Sequence, residues 1–180
     1  GINPDMVIFG KALGNGYAIT AILGKSGIME HSQKTFISST FWTERIGPTA
    51  ALQTIEVMEK EKTWKEISRI GKKIQKGWSD LANITGLKID INGIPSLSNF
   101  TFKSEKNLLY KALITQEMLK NNFLASNSVY CCIKHDDKIL EKYFNNLEKI
   151  FKMIRLCEDG HEISKFLKSK PSIMGFQRLN

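Results

Sequence analysis

Long hydrophobic runs are missing from this chain of 180 residues. No apolar stretch approaches the ~20 residues that a membrane-crossing helix needs, so no membrane span is expected. Cysteine is scarce: Cys131, Cys132 and Cys157 are the whole set, and two of them are neighbours. Adjacent cysteines suit no ordinary disulfide framework, so these thiols read as reduced, small apolar residues in a cytoplasmic setting. Spaced Cys/His pairs are lacking as well, and no metal site is expected. Repeats and low-complexity segments are absent. Positive charge is plentiful, with a formal net charge of +8. Its lysines, however, alternate with glutamates, as in Glu59-Lys60-Glu61-Lys62, which is the pattern of a solvated helix face. An aromatic-and-basic strand of the RNA-binding type is missing, so nucleic acid is not expected as a partner. What remains is a globular chain with 42% hydrophobic residues and a core to build.

The organising stretch is Met6-Val-Ile-Phe-Gly10-Lys11-Ala-Leu-Gly14-Asn15-Gly16. Residues 6–9 read as a short apolar strand of the kind a parallel sheet buries on both faces. Gly10 lets the chain leave the strand sharply, and Gly14 and Gly16 allow close approach or unusual turns. Lys11 therefore stands just past the end of a strand, where open α/β sheets place their chemistry. On its own such a lysine is a solvated cation. Held in a partly dehydrated site, it becomes a neutral amine able to attack an aldehyde and then to move a proton.

The extended segment Pro4-Asp5-Met6-Val7-Ile8-Phe9-Gly10-Lys11-Ala12-Leu13-Gly14-Asn15-Gly16 resembles the cofactor-lysine segment of class III, pyridoxal-phosphate (PLP)-dependent aminotransferases. It is especially similar to the branch containing glutamate-1-semialdehyde aminomutase. Asn15 stands where glycine is usual, and it keeps a residue tolerant of left-handed backbone. The resemblance implies that Lys11 is the Schiff-base lysine and that PLP is the cofactor. It implies transfer of an amino group, by an aminotransferase or an aminomutase, on a small amino or keto substrate. It also implies a homodimer with shared active sites.

A second informative segment is Ser38-Ser39-Thr40-Phe41-Trp42-Thr43-Glu44-Arg45-Ile46-Gly47-Pro48. Hydroxyls, glycine and proline lead into an amphipathic helix from Thr49, and Pro48 suits its first turn. Helix starts with nearby hydroxyls bind phosphate readily, and the same hydroxyls serve equally as caps. In the family this region is G-S/T-T-aromatic-G-G-N-P, whose threonine serves the cofactor phosphate of the neighbouring subunit. Ser39-Thr40-Phe41 matches its start, so the resemblance makes Thr40 the first candidate, with Thr43 and Ser39 as alternates. The continuation Trp42 to Pro48 replaces the short glycine-asparagine-proline link. Arg45 has the planar fork to pair a substrate carboxylate or phosphate, or else a local partner such as Glu44. Trp42 is a candidate for the substrate mouth or for an interface.

The rest reads as scaffold. Ala18 to Lys25 is a second strand, with a turn at Gly24-Lys25-Ser26-Gly27. Thr63-Trp64-Lys65-Glu66 has capping-box spacing and opens a helix that Gly86 ends. Strands are expected at 87–91 and 97–102 with a turn at Asn92-Gly93. Helices are expected at 106–122, with Leu109, Leu113, Met118 and Leu119 inward, and at 137–157. Short strands are expected at 123–126 and 130–133, and a final short helix at about 162–168. The tail at 174–179 resembles the family's G-F-x-R-L ending.

The expected fold is α/β, the C-terminal portion of a fold-type-I PLP transferase. Residues 1–62 would be the end of the PLP-binding, parallel-sheet large domain. Residues 63–180 would be the small C-terminal domain with an antiparallel sheet. The resemblance covers almost all of this chain but only about two-fifths of a family member, against ordinary domain sizes, so a C-terminal fragment is expected. A fragment without the upstream half is expected to hold PLP weakly. The alternative is a non-catalytic interaction module that pairs with a full-length relative.

Overall fold

The computed structural model describes residues 1–173 and Gly175; the family-like tail ending lies outside the described residues. The first strand forms where the apolar run is. β1, Met6–Phe9, pairs antiparallel with β2, Ala21–Gly24, setting Met6 opposite Gly24 and Phe9 opposite Ala21. Asp5 ties the open end: its carbonyl accepts the Lys25 N–H at 3.0 Å, and its carboxylate pairs with Lys25 Nζ at 2.5 Å. Parallel pairing is absent among the described residues, and Val7 is the one half-buried residue of β1. A strand is buried on both faces only when other elements cover both. Here the elements that follow are the short helix α1, Ser26–Met29, a 3-10 turn over Glu30–Lys34, and one long helix. Lys25-Ser26-Gly27 therefore opens a helix and is not a free turn.

That long helix is α2, Ile46–Glu61, with Pro48 in its first turn, where a missing N–H costs nothing. It stops at Lys62, which turns left-handed and returns its N–H to the Met58 carbonyl. The contacts divide the chain into two compact units, Gly1–Thr63 and Trp64–Asn180. In the first, Gly14, Gly47 and Ala51 are the buried residues.

The second unit holds the core. α3, Thr63–Thr85, buries Ile70, Ile74, Trp78 and Leu81, a stripe at helical spacing. Glu66 does not close a capping box; Arg69 takes both of its oxygens, at 3.0 and 2.6 Å. Gly86 follows with φ +67, as a helix-ending glycine does. β3, Ile89–Ile94, and β4, Leu97–Phe102, form a hairpin, and β5, Ser128–Tyr130, adds to β4, all antiparallel.

The hairpin turn is Pro95-Ser96, not Asn92-Gly93. Gly93 lies within β3 opposite Ser98, at φ +89, and the Leu97 carbonyl oxygen comes within 2.3 Å of where its Cβ would stand. Glycine is there for a close backbone approach in a strand, which from sequence looks the same as a turn. Residues 123–126 are not a strand either; β5 takes up the pairing two residues later and ends at Tyr130.

α4, Asn107–Lys120, buries Tyr110, Leu113, Ile114 and Met118, whereas Leu119 faces solvent. α5, Asp137–Glu158, starts on Asp136, whose side chain accepts the Ile139 N–H at 2.8 Å, and buries Leu147, Ile150, Phe151 and Ile154. The last expected helix is a 3-10 turn over Ile163–Lys165. Phe100 and Phe102 of β4 sit at the centre. Phe100 lies 4.8 Å from Trp78 and 5.8 Å from Phe151 between ring centroids, and Phe102 lies 5.5 Å from Tyr110. Each such side chain contributes roughly 1.5–3 kcal/mol by leaving water.

Candidate active site

Gly10 continues β1 in extended backbone, and Lys11 then turns to φ +48. A left-handed lysine is uncommon, because its Cβ crowds the backbone. The neighbours hold it there. Lys11–Leu13 forms a 3-10 turn, and the N–H groups of Gly14 and Asn15 both donate to the Lys11 carbonyl, Asn15 at 3.2 Å. Gly14 is buried, and a Cβ on it would stand 2.1 Å from the Tyr17 carbonyl oxygen and 2.8 Å from Ile19 Cγ2. Only glycine fits this turn. The Lys11 side chain is exposed, and its amine has neither a hydrogen bond nor an ion pair among the described residues.

Ser39, Thr40, Trp42, Thr43 and Arg45 occupy the loop that runs into α2, and all five are exposed. Ser39 Oγ accepts the Phe41 N–H at 3.3 Å, and the Glu44 N–H donates to the Phe41 carbonyl at 3.3 Å. These bonds fold the loop back on itself. The Thr40 and Thr43 hydroxyls and the Arg45 guanidinium have no bonded partner among the described residues.

Glu44 is the residue that the sequence did not single out as functional. It does not pair with Arg45. Its carboxylate accepts the N–H groups of Ile46 and Gly47, the second at 3.0 Å, and so closes the start of α2. A glutamate two residues ahead of a helix whose first turn holds proline was the available signal.

No hydrogen bond joins Lys11 to Ser39, Thr40 or Thr43 among the described residues. What links the two segments is α2, which packs against the Lys11–Leu13 turn. Among the described residues, Lys11 offers an unpaired primary amine in a left-handed turn, and the loop before α2 offers two unpaired hydroxyls. Taken separately, an amine suits an aldehyde and hydroxyls suit a phosphate, the two groups that PLP carries. A separate cavity of about 460 Å³ lies in the second unit, lined by Phe123, Leu124, Val129, His135, Leu140 and Tyr143 among others. It includes none of the site candidates.

The architecture defines the class. Over 89% of this chain and 39% of the other, it superposes on the PLP internal aldimine form of the Sphingopyxis FumI protein, with a TM-score of 0.79 at 17% identity. It matches a transaminase with PLP bound at a TM-score of 0.72 and 18% identity, covering 88% of this chain and 40% of that one. The chain has the α/β fold of the C-terminal portion of fold-type-I PLP enzymes.

Sequence narrows the class to a family. The model for class-III aminotransferases matches residues 1–123, and the chain belongs to that family. It is 32% identical over 164 residues to a 3-aminobutyryl-CoA aminotransferase of Cloacimonas acidaminovorans, covering 86% of this chain and 40% of that protein. It is 27% identical over 168 residues to a glutamate-1-semialdehyde 2,1-aminomutase of Methanocaldococcus jannaschii, covering 84% and 39%. The chain thus spans about two-fifths of the length of the curated relatives it matches.

Proposed function

We propose that this chain is the lysine-bearing part of a PLP-dependent enzyme that transfers an amino group, with Lys11 as the cofactor lysine. The observation that carries the reading is the Lys11 turn itself. Lys11 sits at φ +48 directly after a strand, its carbonyl closing the turn with the Gly14 and Asn15 N–H groups and its amine unpaired among the described residues. Backbone strain of this kind persists where a side chain must be aimed.

Lys11 Nζ would hold the aldehyde carbon of the cofactor and, once released by an incoming amine, would carry a proton between substrate and cofactor carbons. When bound, PLP supplies the electron sink for the carbanion formed at the substrate. Thr40 would donate its hydroxyl to the phosphate, with Thr43 and Ser39 as alternates. The family resemblance of Ser39-Thr40-Phe41 implies a homodimer in which Thr40 serves the other copy's cofactor. The exposed Arg45 guanidinium is free to take a substrate carboxylate, and Trp42 is free to cover the mouth.

Transfer to a second substrate is the first form of the reaction, since the relative at 32% identity is named as an aminotransferase. Return of the amino group to the neighbouring carbon is the second, after the aminomutase relative. The compartment is the cytoplasm, supported by three free cysteines. Incubation with an amino donor and a keto acceptor, with amino product measured by chromatography, tests the reading. Any activity should disappear in Lys11→Ala and Lys11→Arg; activity that survives both substitutions overturns the reading.

A non-catalytic module that pairs with a full-length relative is the second reading. It is favoured by the small number of buried residues in Gly1–Thr63, whose apolar surface needs a cover. Loss of that surface on mixing with the relative, with no amino transfer by the mixture, would support it.

A further inference from the structure

The first turn of α2 is held by a charge. Glu44 accepts from Ile46 and Gly47, using amides that a helix start otherwise offers to solvent or to an anion. Gly47 is buried, and a Cβ on it would stand 2.5 Å from the Ala18 carbonyl oxygen and 3.2 Å from Ile19 Cβ. Ile19 also touches the lysine loop, its Cγ2 lying 2.8 Å from where a Gly14 Cβ would be. Gly14 in turn donates its N–H to the Lys11 carbonyl. One residue, Ile19, therefore bridges the start of α2 and the turn that carries the lysine.

We infer that Glu44 is a positioning residue for Lys11. By fixing the start of α2 it fixes, through Gly47, Ile19 and Gly14, the left-handed turn at Lys11. It also keeps anions off that helix end, because a carboxylate already sits on the two amides and repels a phosphate. The cofactor phosphate is then left to the loop hydroxyls at Thr40 and Thr43. The functional part of this inference rests on Lys11 as the cofactor lysine; the mechanical part does not.

The test is amide hydrogen exchange on the cofactor-free protein, comparing wild type, Glu44→Ala and Glu44→Gln. Alanine removes both acceptors. Protection at Ile46 and Gly47 should fall about fivefold, the usual consequence of a lost cap, and protection at Gly14 and Asn15 should fall with it. Glutamine keeps one acceptor oxygen and should restore part of both. Inorganic phosphate is the second probe: it should raise protection at Ile46 and Gly47 in Glu44→Ala and leave the wild type unchanged. With PLP added, Glu44→Ala should weaken the Lys11-dependent absorption band at a given concentration, and Glu44→Gln should recover part of it. Protection that falls at the start of α2 but not at Gly14 and Asn15 overturns the inference, as does phosphate protection in the wild type. A wild type without any Lys11-dependent band is the behaviour of a chain that holds PLP weakly, and the exchange data then decide the coupling.

Discussion

The Pro95 carbonyl oxygen lies 1.8 Å from where a Cβ on Gly71 would stand. α3 and the β3–β4 turn meet backbone to backbone at that point. Gly71→Ala is therefore expected to destabilise the protein by about 1–3 kcal/mol, since a helix or a hairpin must move to make room. Gly77 offers the control on the same helix. Its missing Cβ would meet the Phe144 ring at 2.3 Å, and a ring edge can swing away. Alanine is also the better helix former, so Gly77→Ala should cost less than Gly71→Ala. Urea denaturation of both variants, followed by circular dichroism, checks the order.

The Trp78 indole N–H donates to the Tyr143 hydroxyl at 2.8 Å inside the second unit. Tyr143→Phe leaves that buried donor unsatisfied while keeping the ring contacts with Phe123 and Phe144. The expected loss is about 1–3 kcal/mol, read from the same denaturation curves. No change in stability would mean that water replaces the hydroxyl.

Acid should loosen the second unit through Glu158. Its carboxyl is held below the ordinary value of 4.5, first by the hydrogen bond from Tyr110 and further by Ser104, Lys106 and Arg155. A folded-state value below the unfolded one means that the unfolded chain binds the proton more readily. The stabilisation is fully present above pH 4.5 and is lost as pH falls through the depressed folded value. Tyr110 responds in the opposite sense, pushed up by burial and by the same carboxylate. Glu158→Gln should flatten the loss of stability below pH 4.5. Melting temperatures across acidic buffers measure it, and an unchanged acid slope would remove Glu158 from the account.

Proteolysis should separate the two units. The second buries Trp78, Phe100, Tyr110 and Phe151 almost completely, whereas the first exposes Ile8, Leu23, Trp42 and Leu52 by more than half. Limited digestion is expected to cut within Gly1–Thr63 first and to leave a resistant piece beginning near Trp64. Resistant product that spans both units would contradict this.

The helices were legible in the sequence for physical reasons, whereas Lys11 was singled out chiefly by the family resemblance of its segment. The spacing of Ile70, Ile74 and Trp78 follows the helical period, and Gly10, Gly14 and Gly16 marked a break and a turn after the first strand. What was not legible depended on tertiary neighbours. Asn92-Gly93 has turn chemistry, but the close pass of the Leu97 carbonyl claims Gly93 for the strand. Leu119 fits an inward period at the end of α4 but lies outside the core. Glu44 looked like a partner for Arg45, because a sequence does not reveal that two backbone amides will reach its carboxylate first.

The most direct test of the central claim is covalent. The purified protein is mixed with PLP, its absorption spectrum is recorded beside that of Lys11→Ala, and both samples are reduced with borohydride and mapped by peptide mass spectrometry. The account predicts an absorption band that needs Lys11 and a reduced label concentrated on the peptide carrying Lys11. Label spread alike over the lysines of both proteins, with no band that depends on Lys11, would contradict it.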